Sequence, residues 1–325
     1  MSLYCHFNPD HDYALANGDE NFVSPASAVC FTRDCRDVLS MAFPGSVTDF
    51  DESVTRVEAW GWNRAVRKQL HRQGVPMELM PSDRQLGDIR DLAHRRTSAY
   101  AMKWLKERMV LDAEPAMEIE SIEQADVLVL NAQGPMLLKW PYSSNGTGIV
   151  LIPGNQLKNW MSLPAREQCR KQLARFGSVM AEPCYDVVQD FAMEFECREG
   201  SVQFCGYSLF QTEKFSYSCN LLMSDSAIEE ELVKYTSRSF LRDIAVEMAG
   251  FLNSYVAGRY SGIVGVDMFI YRKNGKFCVN PAVELNFRHT MGWLARSLYD
   301  LHVVPPNATV MRIDRSGSHY RLVFE

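Results

Sequence analysis

Residues 262–271 form a nearly continuous apolar run interrupted by Asp267, and apolar and polar residues alternate with period two over 283–288, at the end of a second run that begins at 277. The residues between, Lys273-Asn274-Gly275-Lys276, carry the Asn-Gly signal of a tight hairpin, because both types tolerate positive φ. Side chains alternate faces along a strand. Glu284, Asn286 and Arg288 therefore share one face of the second strand, and Val283, Leu285 and Phe287 share the other. Asp267 comes from the neighbouring strand, and Pro281 marks a bulge that restores register across an overlong Asp267–Glu284 gap. A face bearing two carboxylates, an amide and a guanidinium suits a hard cation such as Mg²⁺ with phosphate oxygens around it. A sheet with one wet face would carry the same alternation.

A second pattern occupies residues 136–152. An apolar strand bearing Lys139 runs into Ser143-Ser144-Asn145-Gly146-Thr147-Gly148, and a second apolar strand leaves it. A P-loop would need G-x-x-x-x-G-K-[ST] and a following helix, and neither is present. Strand, glycine loop, strand is the layout of a flap that brings backbone N–H groups and hydroxyls to phosphates, or of a plain hairpin turn. Lys139 discriminates between these. An ammonium in an apolar strand needs an anionic partner, and a phosphate would supply one.

Elsewhere the 3.6-residue period predicts helices over 62–74, over 100–109 with Thr97 or Ser98 as cap, over 166–176, and over a long amphipathic stretch at 228–257. Short apolar runs at 3–7, 75–80, 179–185, 191–196 and 202–210 read as strands, with a last hairpin over 309–324. Residues 8–18 read as a polar loop whose Asp10, His11 and Asp12 either face a substrate or merely turn the chain. The polar stretch 211–220 reads as a further loop, in which Lys214 is either solvated or bound to a substrate carboxylate. The fold class is α/β in α+β lobes, divided at 1–95, 96–180 and 181–325.

A net charge of −6 speaks against a nucleic-acid grip, and no apolar run is long enough to span a bilayer. The first residues lack a signal-peptide layout, and nine cysteines without pairwise spacing read as reduced thiols, so a cytoplasmic protein is expected. Neither Cys30 with Cys35 nor Cys197 with Cys205 has ligand spacing for zinc.

Asp267 followed by Glu284-x-Asn286-x-Arg288, with Lys139 and the glycine loop upstream, resembles the ATP-grasp superfamily of ATP-dependent carboxylate–amine ligases. The resemblance spans residues 90–300, and residues 1–95 fit the α/β domain that precedes the family's core. It implies Mg²⁺ held by Asp267, Glu284 and Asn286, with Arg288 and Lys139 as catalytic cations. It further implies ATP held by Arg96, Lys139, the loop residues Ser143, Ser144, Asn145, Gly146, Thr147 and Gly148, then Glu182, Cys184, Tyr185 and Asp190. With Pro183 lacking an N–H, adenine contacts would fall to Cys184 or Tyr185. The implied activity is attack of a substrate carboxylate on ATP, then capture of the acylphosphate by an amine or thiol. A small-molecule kinase and a non-catalytic ATP-binding module are the alternatives.

Overall fold

The computed structural model describes residues 2–47, 49–143, 145–198 and 200–325. The chain begins β1 (Ser2–His6), α1 (His11–Asn17), α2 (Ala26–Met41), β2 (Ser46–Val47), β3 (Val54–Ala59), α3 (Arg64–Arg72) and α4 (Asp83–Leu92). β1 lies between β2 and β3 in a three-stranded parallel sheet. Next come α5 (Arg96–Lys106), β4 (Met117–Ile119), α6 (Ile122–Asn131), β5 (Met136–Lys139), β6 (Ile149–Ile152), α7 (Pro164–Phe176) and β7 (Val179–Pro183). These strands form a second sheet ordered β4-β7-β5-β6.

The remainder is β8 (Asp186–Arg198), β9 (Ser201–Glu213), β10 (Ser216–Leu221), α8 (Asp225–Leu232), α9 (Arg238–Tyr255), β11 (Gly262–Lys273), β12 (Lys276–Asn286), α10 (Met291–Asp300), β13 (Val310–Ser316) and β14 (His319–Phe324). Its sheet has the order β12-β11-β8-β9-β10-β13-β14. One face of this sheet supplies Phe191, Met193, Phe195, Val264, Val266, Met268 and Leu285 to the largest apolar core, under α5 and α9. Each buried large side chain there contributes roughly 1.5–3 kcal/mol. The opposite face, in register, carries the polar residues considered below.

Several local expectations are corrected. Residues 8–18 are not a loop: α1 forms there and ends at Gly18, whose φ of 74° closes the helix in the left-handed region. Residues 75–80 are not a strand. Pro76 fixes φ at −61° and a 3-10 turn follows at Met77–Leu79. Helix α5 starts at Arg96 without a side-chain cap, and the hydroxyls of Thr97 and Ser98 are buried without partners. The 228–257 stretch divides in two because Ser237 accepts from the Phe240 N–H at 3.1 Å and starts α9 afresh. Residues 211–220 belong to β9 and β10, so Lys214 sits in a two-residue turn. Residues 26–41, given no element from sequence, form α2, which packs on β14.

The two hairpin signals behave differently. Asn274 and Gly275 adopt φ of 51° and 76° between β11 and β12, as the Asn-Gly pair requires. Asp267 pairs with Glu284 and Phe269 with Asn280, so two steps on β11 oppose four on β12, at Pro281. None of the nine cysteines is disulfide-bonded, and among the described residues no helix is long and apolar enough to cross a membrane.

Candidate active site

Asp267 and Glu284 are register partners on adjacent strands, with Gly265 and Asn286 the next pair on the same face. Burial drives the Asp267 carboxyl well above the ordinary range, and the charges of Glu284 and Glu194 push it further. Two facing carboxylates that repel one another favour a cation between them, and their hard oxygens suit Mg²⁺. Asn286 fits less directly: its amide N–H donates to Asp267 Oδ2 at 3.1 Å, and its oxygen accepts from Arg288 at 2.9 Å. A half-turn of the amide would present that oxygen beside the carboxylates. Among the described residues no three His, Cys, Asp or Glu side chains form a metal cluster, so phosphate oxygens would have to complete the shell.

Arg288 is held from behind. Its Nε and Nη2 donate to the two Asp12 oxygens at 3.2 and 2.9 Å. Burial opposes the Asp12 charge, but the Arg288 guanidinium outweighs it and lowers the carboxyl below its usual range. Asp12 therefore orients Arg288, a more specific place than the acceptor contact considered from sequence. Beside it His11 is buried and pushed down to about 4 by desolvation, and its ring packs on Gly61. Asp10 is also buried.

The cation on Glu284 is Arg95, at 2.8 Å, and not Arg96. Arg95 also donates to the Trp140 carbonyl at 3.0 Å and to Ser143 Oγ at 3.2 Å, joining the carboxylate pair to the root of the glycine loop. Arg96 turns away and meets Glu118 at 3.4 Å. The sequence offered a signal, the run His94-Arg95-Arg96, without saying which arginine faces the crevice.

Lys139 is buried in β5, but its partner is the carboxylate of Glu182 in β7, at 2.5 Å, where the sequence suggested a phosphate. Both residues are thus neutralised by one another. The Cys184 N–H donates to the Pro135 carbonyl at 2.8 Å, so it is not free to meet an adenine. The Tyr185 ring packs on Phe269 and Tyr271, and its hydroxyl accepts from the Glu114 N–H. Asp190 accepts from Thr212 Oγ1 at 2.7 Å, and burial raises its carboxyl.

Ser144 lies outside the described residues. Asn145 and Gly146 reach the β9–β10 turn: Asn145 Oδ1 accepts from the Tyr217 N–H at 2.8 Å, and its carbonyl accepts from Ser216 Oγ at 3.2 Å. Gly146, at φ 71°, approaches so closely that an added Cβ would stand 2.4 Å from the Phe215 carbonyl. Gly148 leaves room for Ser143, whose Oγ would lie 2.3 Å from a Cβ there. Thr147 completes the loop and is hydrogen-bonded or otherwise partnered.

Glu194 went unread from sequence. It is fully buried on β8, its Oε1 accepts from Thr290 at 3.0 Å and Ser208 at 3.2 Å, and its Oε2 has no partner. Desolvation raises its carboxyl to about 7. Gly265 and Gly292 make room for it, since an added Cβ would sit 2.9 and 2.7 Å from its oxygens. A carboxylate within Phe191-Ala-Met-Glu194-Phe is the same kind of signal as Lys139 in its apolar strand.

No family model matches the sequence, and no curated protein does. The fold does find likenesses. The biotin carboxylase of Campylobacter jejuni, solved as a β,γ-ATP complex, superposes at TM-score 0.52 with 12% identity, covering 91% of this chain and 67% of that one. The N5-carboxyaminoimidazole synthetase of Staphylococcus aureus, with ADP, matches at TM-score 0.49 and 13% identity over 96% of this chain and 82% of that one. D-alanyl-alanine synthetase A of Vibrio cholerae matches at 0.49 and 11% over 88% of each. The chain has the ATP-grasp fold.

Proposed function

From the ATP-grasp fold, we propose that this protein is an ATP-dependent ligase that activates a substrate carboxylate as an acylphosphate for an amine or thiol nucleophile. The observation that carries the reading is the convergence on one sheet face of Asp267, Glu284, Asn286 and Arg288, with Arg95 tying that face to the glycine loop. Residues 1–95 form the preceding domain in this reading, 96–180 the lobe with the flap, and 181–325 the lobe with the metal residues.

Asp267, Glu284 and a rotated Asn286 would hold Mg²⁺, which would draw charge from the phosphate oxygens of ATP. Arg288, fixed by Asp12, would present a half-buried permanent cation to the phosphoryl group in transfer. With Glu284 holding the metal, Arg95 would be free to offer its guanidinium to phosphate, a role that replaces the one expected of Arg96. Lys139 reaches phosphate while Glu182 keeps it charged and oriented. Ser143 to Gly148 close over the phosphates through backbone N–H groups and hydroxyls. Asp190 and Tyr185 stand at the nucleoside end, and Cys184 would contribute its carbonyl or side chain, since its N–H is taken. Charge neutralisation and positioning suffice for phosphoryl transfer to a carboxylate, so the first step needs no enzymic base.

The test is to incubate the chain with Mg-ATP and pooled carboxylic acids and amines, following ADP, free phosphate and new condensed masses. ADP with equimolar phosphate and a condensed product is expected, abolished in Asp267→Asn and Glu284→Gln. ADP without free phosphate would mark a kinase. No ADP with any pool would reject the enzyme reading.

A further inference from the structure

A second cavity, of about 560 Å³, lies between α1, the start of α3, α4 and the end of α7. Arg64, Arg90, Arg96 and Arg175 line it, around the rings of Tyr142 and Phe176. Arg95 and Arg96 are neighbours that face opposite ways: the first serves the crevice of Glu284, the second this cavity.

Four guanidinium groups gathered on one cavity of a chain with net charge −6 need counter-charge, and the protein supplies little. Arg64 has no carboxylate partner among the described residues. Arg90 Nε donates to the neutral Leu15 carbonyl at 2.9 Å while its guanidinium lies over Tyr142. Arg175 lies over the ring of Phe176. Arg96 alone has an acid, Glu118 at 3.4 Å, and its Nε is buried without a partner. Two acids share the lining, one matched by a cation outside it and one that keeps its charge, so the four guanidinium groups still outnumber the carboxylates. Asp91 is bonded to Arg259, and Asp19 Oδ1 accepts from the Asn21 backbone and side-chain N–H groups at 2.9 and 3.2 Å.

We propose that this cavity binds a compact polyanion, a phosphate- or polycarboxylate-bearing small molecule, at a site separate from the Asp267–Glu284 crevice. Its size is that of a small-molecule pocket. Guanidinium groups match both anions in planar, two-point hydrogen bonding, and the field of like charges in a cleft draws an anion in. Tyr142 and Phe176 supply an apolar wall for whatever carries the charge. The inference stands whether or not the ligase reading holds.

Calorimetric titration of the full chain in metal-free buffer with sodium phosphate and, separately, with tricarballylate tests it. One equivalent of at least one anion binds and raises the melting temperature. Which anion binds tells the phosphate source from the carboxylate source. In the double variant Arg64→Gln/Arg175→Gln, two exposed side chains whose loss leaves the unliganded melting temperature unchanged, affinity falls about ten-fold or more. Arg95→Gln, which removes a cation from the other crevice, leaves the affinity as it was. Failure of both anions to bind at millimolar concentration overturns the proposal, and so does equal binding by the double variant.

Discussion

Lys139 and Glu182 meet 2.5 Å apart across two antiparallel strands, both almost wholly out of solvent. Each is the reason the other can stay charged in an apolar sheet.

Breaking the pair leaves a buried charge alone. Glu182→Leu should cost roughly 3–5 kcal/mol, and Lys139→Met a similar amount. The double variant Lys139→Met/Glu182→Leu should recover most of the loss, because a well-packed apolar pair forgoes both desolvation costs. Urea unfolding of the four proteins measures this. Additive losses would mean that the two side chains do not interact.

Glu194 makes stability depend on pH in the unusual direction. Its folded value of about 7 lies above that of an unfolded glutamate, so its protonated form is the one the fold favours. Stability from this group is complete below about pH 4 and is lost as pH rises to about 7, by on the order of 3 kcal/mol. Glu194→Gln should flatten that slope. Melting temperature against pH for both proteins, without metal, is the check, and parallel curves would refute it.

Mg²⁺ should act against the same repulsion. Its binding requires Asp267 to give up the proton that burial and Glu284 favour, so affinity should rise with pH and binding should release protons. Titration with MgCl₂ in two buffers of different ionisation enthalpy detects the release. Asp267→Asn should abolish it.

Undocking the glycine loop should expose it. Asn145→Ala removes the acceptor on the Tyr217 N–H, and Gly146→Ala drives a methyl group against the Phe215 carbonyl at an unfavourable φ. Either should raise the rate of limited proteolysis within 143–148 by about ten-fold, the equivalent of roughly 1.4 kcal/mol. Global stability should hardly change. Unaltered cleavage would mean that the docked contacts contribute nothing.

Much of the candidate site was legible because it rests on local rules. Period-two alternation put Glu284, Asn286 and Arg288 on one face, Asn274-Gly275 fixed the hairpin, and Pro281 announced the bulge that sets Asp267 opposite Glu284. The short-range errors were local too: Ser237 restarts a helix inside an unbroken apolar period, and Pro76 undoes an apolar run that reads as a strand.

Sequence alone determined which side chains share a strand face, since that follows from the covalent geometry of an extended chain. Tertiary structure decided which charges are paired. Arg288 meets Asp12 across 276 positions, Arg95 rather than Arg96 meets Glu284, and Lys139 is paired with Glu182 inside the protein. Partners of this kind are chosen by how separate sheets pack and by where burial makes an unpaired charge too costly, and neither is written in local spacing.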